Sequence, residues 1–167
     1  RVLFRSECRG RVRIQSTKRV HESAQRRDLK VNVSLEPFTA AHVPHLELWL
    51  SLDHIRPWYP DPARDLSFAT NPPPGGDHAL ICVDTHPVGY VRWQHVDRET
   101  LDELGLHDVP ANSVDIDILI GDDALTARGI GPQALELIAT RFLNDASVPM
   151  LGLTTSVDNV RAQKAFA

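Results

Sequence analysis

The chain has little cysteine, little methionine, few aromatic residues and no long apolar run. Its two cysteines, Cys8 and Cys82, stand far apart. Two are too few for a disulfide scaffold, and they lack the paired spacing of a zinc site. A reducing cytoplasm therefore suits the chain. The histidines from His42 to His107 share no ligand spacing, so no metal is expected. No apolar stretch approaches the ~18–20 residues of a membrane-crossing helix. There are no internal repeats. No Lys-Ser or Lys-Thr pair follows a glycine loop, which excludes a P-loop, and the dinucleotide fingerprint lacks its third glycine.

Positive charge is scarce beyond residue 30. Residues 1–30 hold ten Lys and Arg against three Asp and Glu. The remainder holds eight against nineteen, a balance of −11 within a whole-chain charge of −4. So acidic a domain argues against a nucleic-acid partner, whose backbone needs clustered cations. It favours a cationic substrate, or simply keeps the domain soluble. The basic stretch 1–30 is interrupted by Glu7, Glu22 and Asp28 and has no apolar period. It reads as a disordered extension, with one domain over 31–167. A hydrophobic share of 42 % is enough for a core of ordinary size.

The alternation of Val31–Glu36 predicts a strand. Thr39 can cap a helix over 40–52, and Pro57, Pro60 and Pro62 then break the pattern. Residues 71–77 are a Pro-Gly loop. Ala79–Val83 and Val88–His95 read as a hairpin turning near Asp84-Thr85-His86. A short helix is placed at 98–105 and a strand at Val114–Ile120. A second helix starts near Pro132, where a missing N–H costs nothing, and runs to about Asn144. Ala134, Leu137, Ile138 and Phe142 fall on one of its faces. Met150–Thr155 is another strand, and a last helix starts at Asn159. Fold class is α/β (α+β).

The most informative segment runs from Asp117 to Gln133. An apolar strand leads into a loop punctuated by Gly129 and Gly131, and the loop leads into a helix. Glycines let a backbone approach a ligand, and the unpaired N–H groups of a helix start favour an anion. Asp115 and Asp117 alternate on the strand, so they share one face. An anion grip beside carboxylates joins a cofactor to a proton acceptor. Cys-His and Ser-His constellations are lacking, which fits chemistry without a covalent intermediate.

Four motifs carry a resemblance, in order. Trp49-Leu-Ser-Leu-Asp-His-Ile-Arg-Pro-Trp58-Tyr59 resembles a segment of the aminoglycoside 6'-N-acetyltransferase branch of the GNAT N-acetyltransferases. Pro87-Val-Gly-Tyr90 resembles the Pro-x-Gly-Tyr strand of that superfamily. Thr126-Ala-Arg-Gly-Ile-Gly131 resembles its acetyl-CoA pyrophosphate loop. Asp158-Asn159-Val-Arg-Ala-Gln-Lys-Ala-Phe166 resembles its Asn-x-Arg-Ala-x-x-x-Tyr motif. The match spans roughly residues 33–167. It implies a mixed, largely antiparallel sheet flanked by helices, as monomer or homodimer. The family pattern would continue past Ala167, so the domain reads as cut short at its C-terminal end.

The resemblance implies acetyl transfer from acetyl-CoA to a primary amine of a small cationic acceptor, first of all an aminoglycoside 6'-amine. A lysine-derived amine in siderophore synthesis is the alternative acceptor, and a non-catalytic acyl-CoA-binding module the alternative class. Asp117 is the implied base; otherwise it is an acid on the wet face of a strand. Ile118, Leu119 and Ile120 would bind the pantetheine arm through their backbone. Thr126, Arg128, Gly129, Ile130 and Gly131 would bind the pyrophosphate. Asn159 would touch the cofactor arm or cap its helix. Trp58, Tyr59, Trp93 and Asp115 would border the acceptor. Three departures stand out. Thr126 replaces a Gln or Arg, Thr154 replaces an aspartate that binds drug amines, and Phe166 replaces the tyrosine that serves as thiolate-side acid.

Overall fold

A computed structural model describes residues 11–13, 31–142 and 144–166. Six strands form one sheet in the order β1-β6-β5-β4-β3-β2. They are β1 (Arg11–Arg13), β2 (Val33–Pro37), β3 (Gly76–Val83), β4 (His86–Val96), β5 (Ser113–Ile120) and β6 (Leu151–Ser156). Every pairing is antiparallel except that of β5 with β6. The helices are α1 (Val43–Ser51), α2 (Pro62–Thr70), α3 (Arg98–Glu103), α4 (Ile130–Phe142) and α5 (Val160–Phe166). None is long and apolar enough to cross a membrane.

Within the stretch expected to be a disordered extension, Arg11–Arg13 instead pair with Thr154–Ser156 of β6. The rest of 1–30 lies outside the described residues. The helix expected over 40–52 divides in two. A 3-10 turn over Ala40–His42 precedes α1, because Pro44 at the helix start donates no backbone bond. An unexpected helix, α2, follows the prolines. Asp61 accepts the Arg64 N–H at 3.1 Å, and Pro62 opens the first turn. The β3–β4 hairpin turns on Asp84 and Thr85, both at positive φ (47° and 72°). That conformation matches a two-residue turn to the twist of its strands.

Alternation along β3, β4 and β5 divides the core between the sheet's two faces. On one face Leu80, Cys82, Tyr90 and Leu119 pack against Leu46, Trp49 and Leu50 of α1, with Ile55 beyond it. On the other, Ala79, Ile81, Val91, Trp93, Val114 and Ile116 pack against Ile130, Ala134 and Ile138 of α4. The α4 contacts recur every fourth residue, as one helical face requires. Each such aliphatic side chain contributes about 1.5–3 kcal/mol by leaving water. Leu137, expected on that face, is 41 % exposed, and Ile130 takes the buried place instead. Gly89 is obligatory, since a Cβ there would lie 2.4 Å from the Leu119 carbonyl oxygen.

Candidate active site

The parallel pairing of β5 with β6 is short. It joins Val114–Ile116 to Leu151–Leu153 and then stops. Past that point, among the described residues, no strand pairs with Asp117–Ile120 on the side away from β4, so this edge of β5 is open. The Gly121 N–H donates to the Val88 carbonyl and the Val114 N–H to the Met150 carbonyl. Antiparallel alternation then turns the odd β5 residues towards β4 and the even ones towards the gap. Ile118 and Ile120 therefore present backbone groups to the gap. Leu119 does not, because its backbone belongs to the β4 ladder and its side chain is buried. Two side chains from the segment after α1 reach the gap. The Tyr59 hydroxyl donates to the Ile118 carbonyl at 3.0 Å, and His54 Nε2 lies 3.2 Å from the Ile120 carbonyl.

The glycine loop stands at the end of this gap. Thr126 Oγ donates to the Asp123 carbonyl at 2.7 Å, which ties the loop to itself. Ala127 and Gly129 take positive φ, 60° and 79°. Ile130 is fully buried and pins the loop to the α4 face. The first backbone bond of α4 runs from the Gln133 N–H to the Gly129 carbonyl. The N–H groups of Gly129, Ile130 and Gly131 come before it, in the orphan positions of a helix start. A Cβ added at Gly131 would meet nothing within 4 Å, and one at Gly129 only Gln133 Nε2 at 3.8 Å. Arg128 is exposed beside them. The loop is open, rich in N–H groups and at the positive end of a helix, which fits a pyrophosphate. Asn159 caps α5, its Oδ1 accepting the Ala162 N–H at 3.0 Å, while its amide nitrogen remains able to donate. Arg161 of α5 pairs with Asp123 at 3.0 Å.

Asp117 lies opposite Arg92 of β4 on the α1 face. Its Oδ2 accepts from Arg92 Nη2 at 2.9 Å and Nε at 3.2 Å, and its Oδ1 accepts from the Tyr59 hydroxyl at 2.6 Å. Arg92 Nη2 also pairs with Asp65 Oδ1 of α2 at 3.0 Å. The Phe68 ring lies 4.7 Å from the guanidinium carbon. Leu46, Leu50, Tyr90 and Leu119 close round these groups and leave no space between them that a water molecule could enter. Burial pushes the Tyr59 phenol well above its usual range, and the charge of Asp117 adds to this. Tyr59 therefore remains a proton-bearing donor. Burial also raises the Asp65 carboxyl, with Arg92 pulling the other way.

Asp115 shares this face, opposite Gln94. Trp58 is 39 % exposed, next to Tyr59. Trp93 does not border the acceptor region as expected. It pairs with Ile116 and so faces α4, where Arg141 covers its ring at 4.8 Å. Of Phe166 only the backbone is described. Sequence reasoning missed Asp65, Arg92 and His54. The Asp61-Pro62 start signal could have placed Asp65 on a helix. His54 lies inside the Trp49–Tyr59 motif, but nothing local marks its contact with the Ile120 carbonyl, 66 residues further on. Nothing local marks Arg92, because its role depends on register across two strands.

The family profile described as an Acetyltransferase (GNAT) domain matches residues 39–167. The chain belongs to the GNAT acetyltransferases. Among curated protein sequences none matches it significantly. The GNAT fold is shared with a solved aminoglycoside acetyltransferase AAC(6')-Ib in complex with coenzyme A. The two are 19 % identical over 81 % of each chain, with a TM-score of 0.68. An aminoglycoside N(6')-acetyltransferase from Legionella pneumophila is 14 % identical over 83 % of this chain and 78 % of its own, at 0.60. The microcin C7 self-immunity acetyltransferase MccE, solved with acetyl-CoA and AMP, is 14 % identical over 80 % and 74 %, at 0.57. Among the described residues no cluster could hold a metal ion.

Proposed function

We propose that the protein transfers the acetyl group of acetyl-CoA to a primary amine of a small cationic acceptor, with an aminoglycoside 6'-amine as first candidate. The observation that carries this reading is the position of Asp117. Its carboxylate stands on the strand whose next residue, Ile118, turns its backbone into the sheet gap, and Tyr59 touches both. Acetyl-CoA supplies the thioester. The N–H groups of Gly129–Gly131 and Arg128 would hold its pyrophosphate, Ile118 and Ile120 the pantetheine arm, with His54 beside them. Asn159 would add a donor.

Asp117 takes the proton of the attacking amine at Oδ1. Tyr59 then has the Ile118 carbonyl, 3.0 Å away, as a second acceptor for its hydrogen. The amine needs this help because it attacks only when neutral. Trp58 and Tyr59 offer aromatic surface to a sugar or an ammonium, at about 0.5–2 kcal/mol per contact, and Asp115 adds negative charge. The free, buried thiol of Cys82 is in keeping with a cytoplasmic enzyme. The test is acetyl-CoA consumption with a panel of aminoglycosides and lysine derivatives. Turnover with an aminoglycoside supports the reading, and turnover with lysine derivatives alone moves the acceptor. Binding of acetyl-CoA without turnover of any amine would make the protein a binding module.

A further inference from the structure

Three rings at equal spacing, Trp49, His54 and Tyr59, meet the end of β5 in reverse order. The Tyr59 hydroxyl donates to the Ile118 carbonyl at 3.0 Å, and His54 Nε2 lies 3.2 Å from the Ile120 carbonyl. The Trp49 ring lies over Gly121 and leaves no room there for a Cβ. A carbonyl oxygen only accepts, so His54 carries a hydrogen on Nε2 and donates it.

The stretch that holds these rings is closed on itself. The Ile55 and Arg56 N–H groups donate to the Leu52 carbonyl, Trp58 to Ile55 and Tyr59 to Arg56. Ile55 is buried in the α1 cluster and seats the whole turn. The turn grips β5 through side chains, from a fixed base.

The part gripped is the part of β5 that lacks a second neighbour. Among the described residues no strand pairs with Asp117–Ile120 on the side away from β4. A strand end paired on one side only is prone to fray, and its free backbone groups invite a strand from another chain. Two side-chain donors answer both problems. They partner the Ile118 and Ile120 carbonyls, and they leave the N–H groups of the same residues facing the gap. The edge then meets a ligand chiefly as a donor, and it suits carbonyl oxygens.

We propose that His54 is a positioning residue for acetyl-CoA. By holding the Ile120 carbonyl it fixes the free end of β5, so that the N–H groups of Ile118 and Ile120 stand ready for carbonyl oxygens of the cofactor arm. This rests on the reading that places the arm along these two residues. Order already built into the edge is order the ligand does not have to impose, and that raises affinity without a new contact. Tyr59 grips Ile118 in the same way, but its hydroxyl also serves Asp117. His54 is the cleaner probe, because its bond goes to backbone.

The experiment uses the full chain and coenzyme A. His54→Leu keeps bulk and removes the donor, and His54→Gln returns an N–H at similar reach. Calorimetry should show the Kd for coenzyme A about tenfold higher in His54→Leu, equivalent to ~1.4 kcal/mol, and mostly restored in His54→Gln. Without ligand, the Gly121 amide, which is bonded to the Val88 carbonyl, should exchange its hydrogen faster in His54→Leu than in the parent. An equal or lower Kd in His54→Leu would overturn the proposal. So would a loss of affinity that glutamine fails to restore, since His54 would then serve packing alone. The underlying reading is checked in the parent, where coenzyme A should shift the ¹H–¹⁵N signals of Ile118 and Ile120. If those signals stay still, the arm lies elsewhere and the proposal falls with the reading. If they move while His54→Leu binds like the parent, only the role of His54 is lost.

Discussion

The indole ring of Trp49 occupies the space that a side chain on Gly121 would need. A Cβ on Gly121 would lie 2.2 Å from the ring. Trp49 belongs to the α1 cluster, and the Gly121 N–H is held by the Val88 carbonyl, so neither can yield easily. Gly121→Ala should therefore push α1 off the sheet and cost about 1–3 kcal/mol, the usual range for overpacking. Urea denaturation measures this. A midpoint equal to the parent's would show that α1 is not seated on β5 in this way.

Tyr59→Phe deletes one hydroxyl that serves both Asp117 and Ile118. The stability loss should be about 1 kcal/mol, as for an ordinary buried hydrogen bond. Turnover should drop about tenfold, which corresponds to ~1.4 kcal/mol of barrier. Because Tyr59 holds its proton well above 10, the parent's rate should show no alkaline decline from this residue. Rates of parent and variant from pH 6 to 9.5 provide the check.

Asp117→Asn keeps the size of the side chain but removes the proton acceptor. Turnover should fall by roughly 10²–10⁴-fold, the range of general-base contributions, with acetyl-CoA affinity retained. The deficit should be greatest below the amine's own pKa, where a proton must be taken away. Steady-state rates across pH, paired with calorimetric binding, separate the two effects. Near-parental turnover at every pH would reduce Asp117 to a partner of Arg92.

Gly131→Val should leave the fold intact, since a Cβ there meets nothing within 4 Å. It should abolish acetyl-CoA binding by filling the space a phosphate needs. Gly129, at φ 79°, is a poorer probe, because any side chain there is strained. Unchanged affinity in Gly131→Val would place the cofactor elsewhere.

Much of this was legible from residues alone. The strand–loop–helix order at 117–133, the hairpin and the last helix were all readable, because period and turn chemistry act locally. What escaped was set by pairing across strands. Trp93 carries no sign of its face. Only the register that puts it beside Ile116 and Arg92 beside Asp117 sends one ring to α4 and one guanidinium to the candidate base. Leu119 was lost for the same reason, as alternation turned its backbone to β4. The helix α2 escaped because three prolines outweighed a cap that two residues were announcing.

His78 should give the domain a pH-dependent stability. Burial holds its imidazole below the usual 6.5, with Asp77 pulling the other way, and its Nδ1 lies 3.0 Å from the Tyr90 hydroxyl. The unfolded chain takes up a proton near 6.5 that the folded protein refuses. Stability should therefore be full above that value and fall as pH drops through it. His78→Gln should flatten this slope. Denaturation midpoints at pH 7.5 and 5.5 show it as a smaller difference in the variant.

The short β5–β6 ladder has a thermodynamic consequence. A sheet that stops pairing in its interior is, in effect, missing part of a strand. A ligand that supplies donors and acceptors to Ile118 and Ile120 would stand in for it and bind the folded chain alone. Melting temperature would then track ligand concentration, with a gain of about 2.7 kcal/mol at a hundredfold excess over Kd. The protein's stability in a cell would be a readout of its acyl-donor supply, and starvation for that donor would shorten its lifetime.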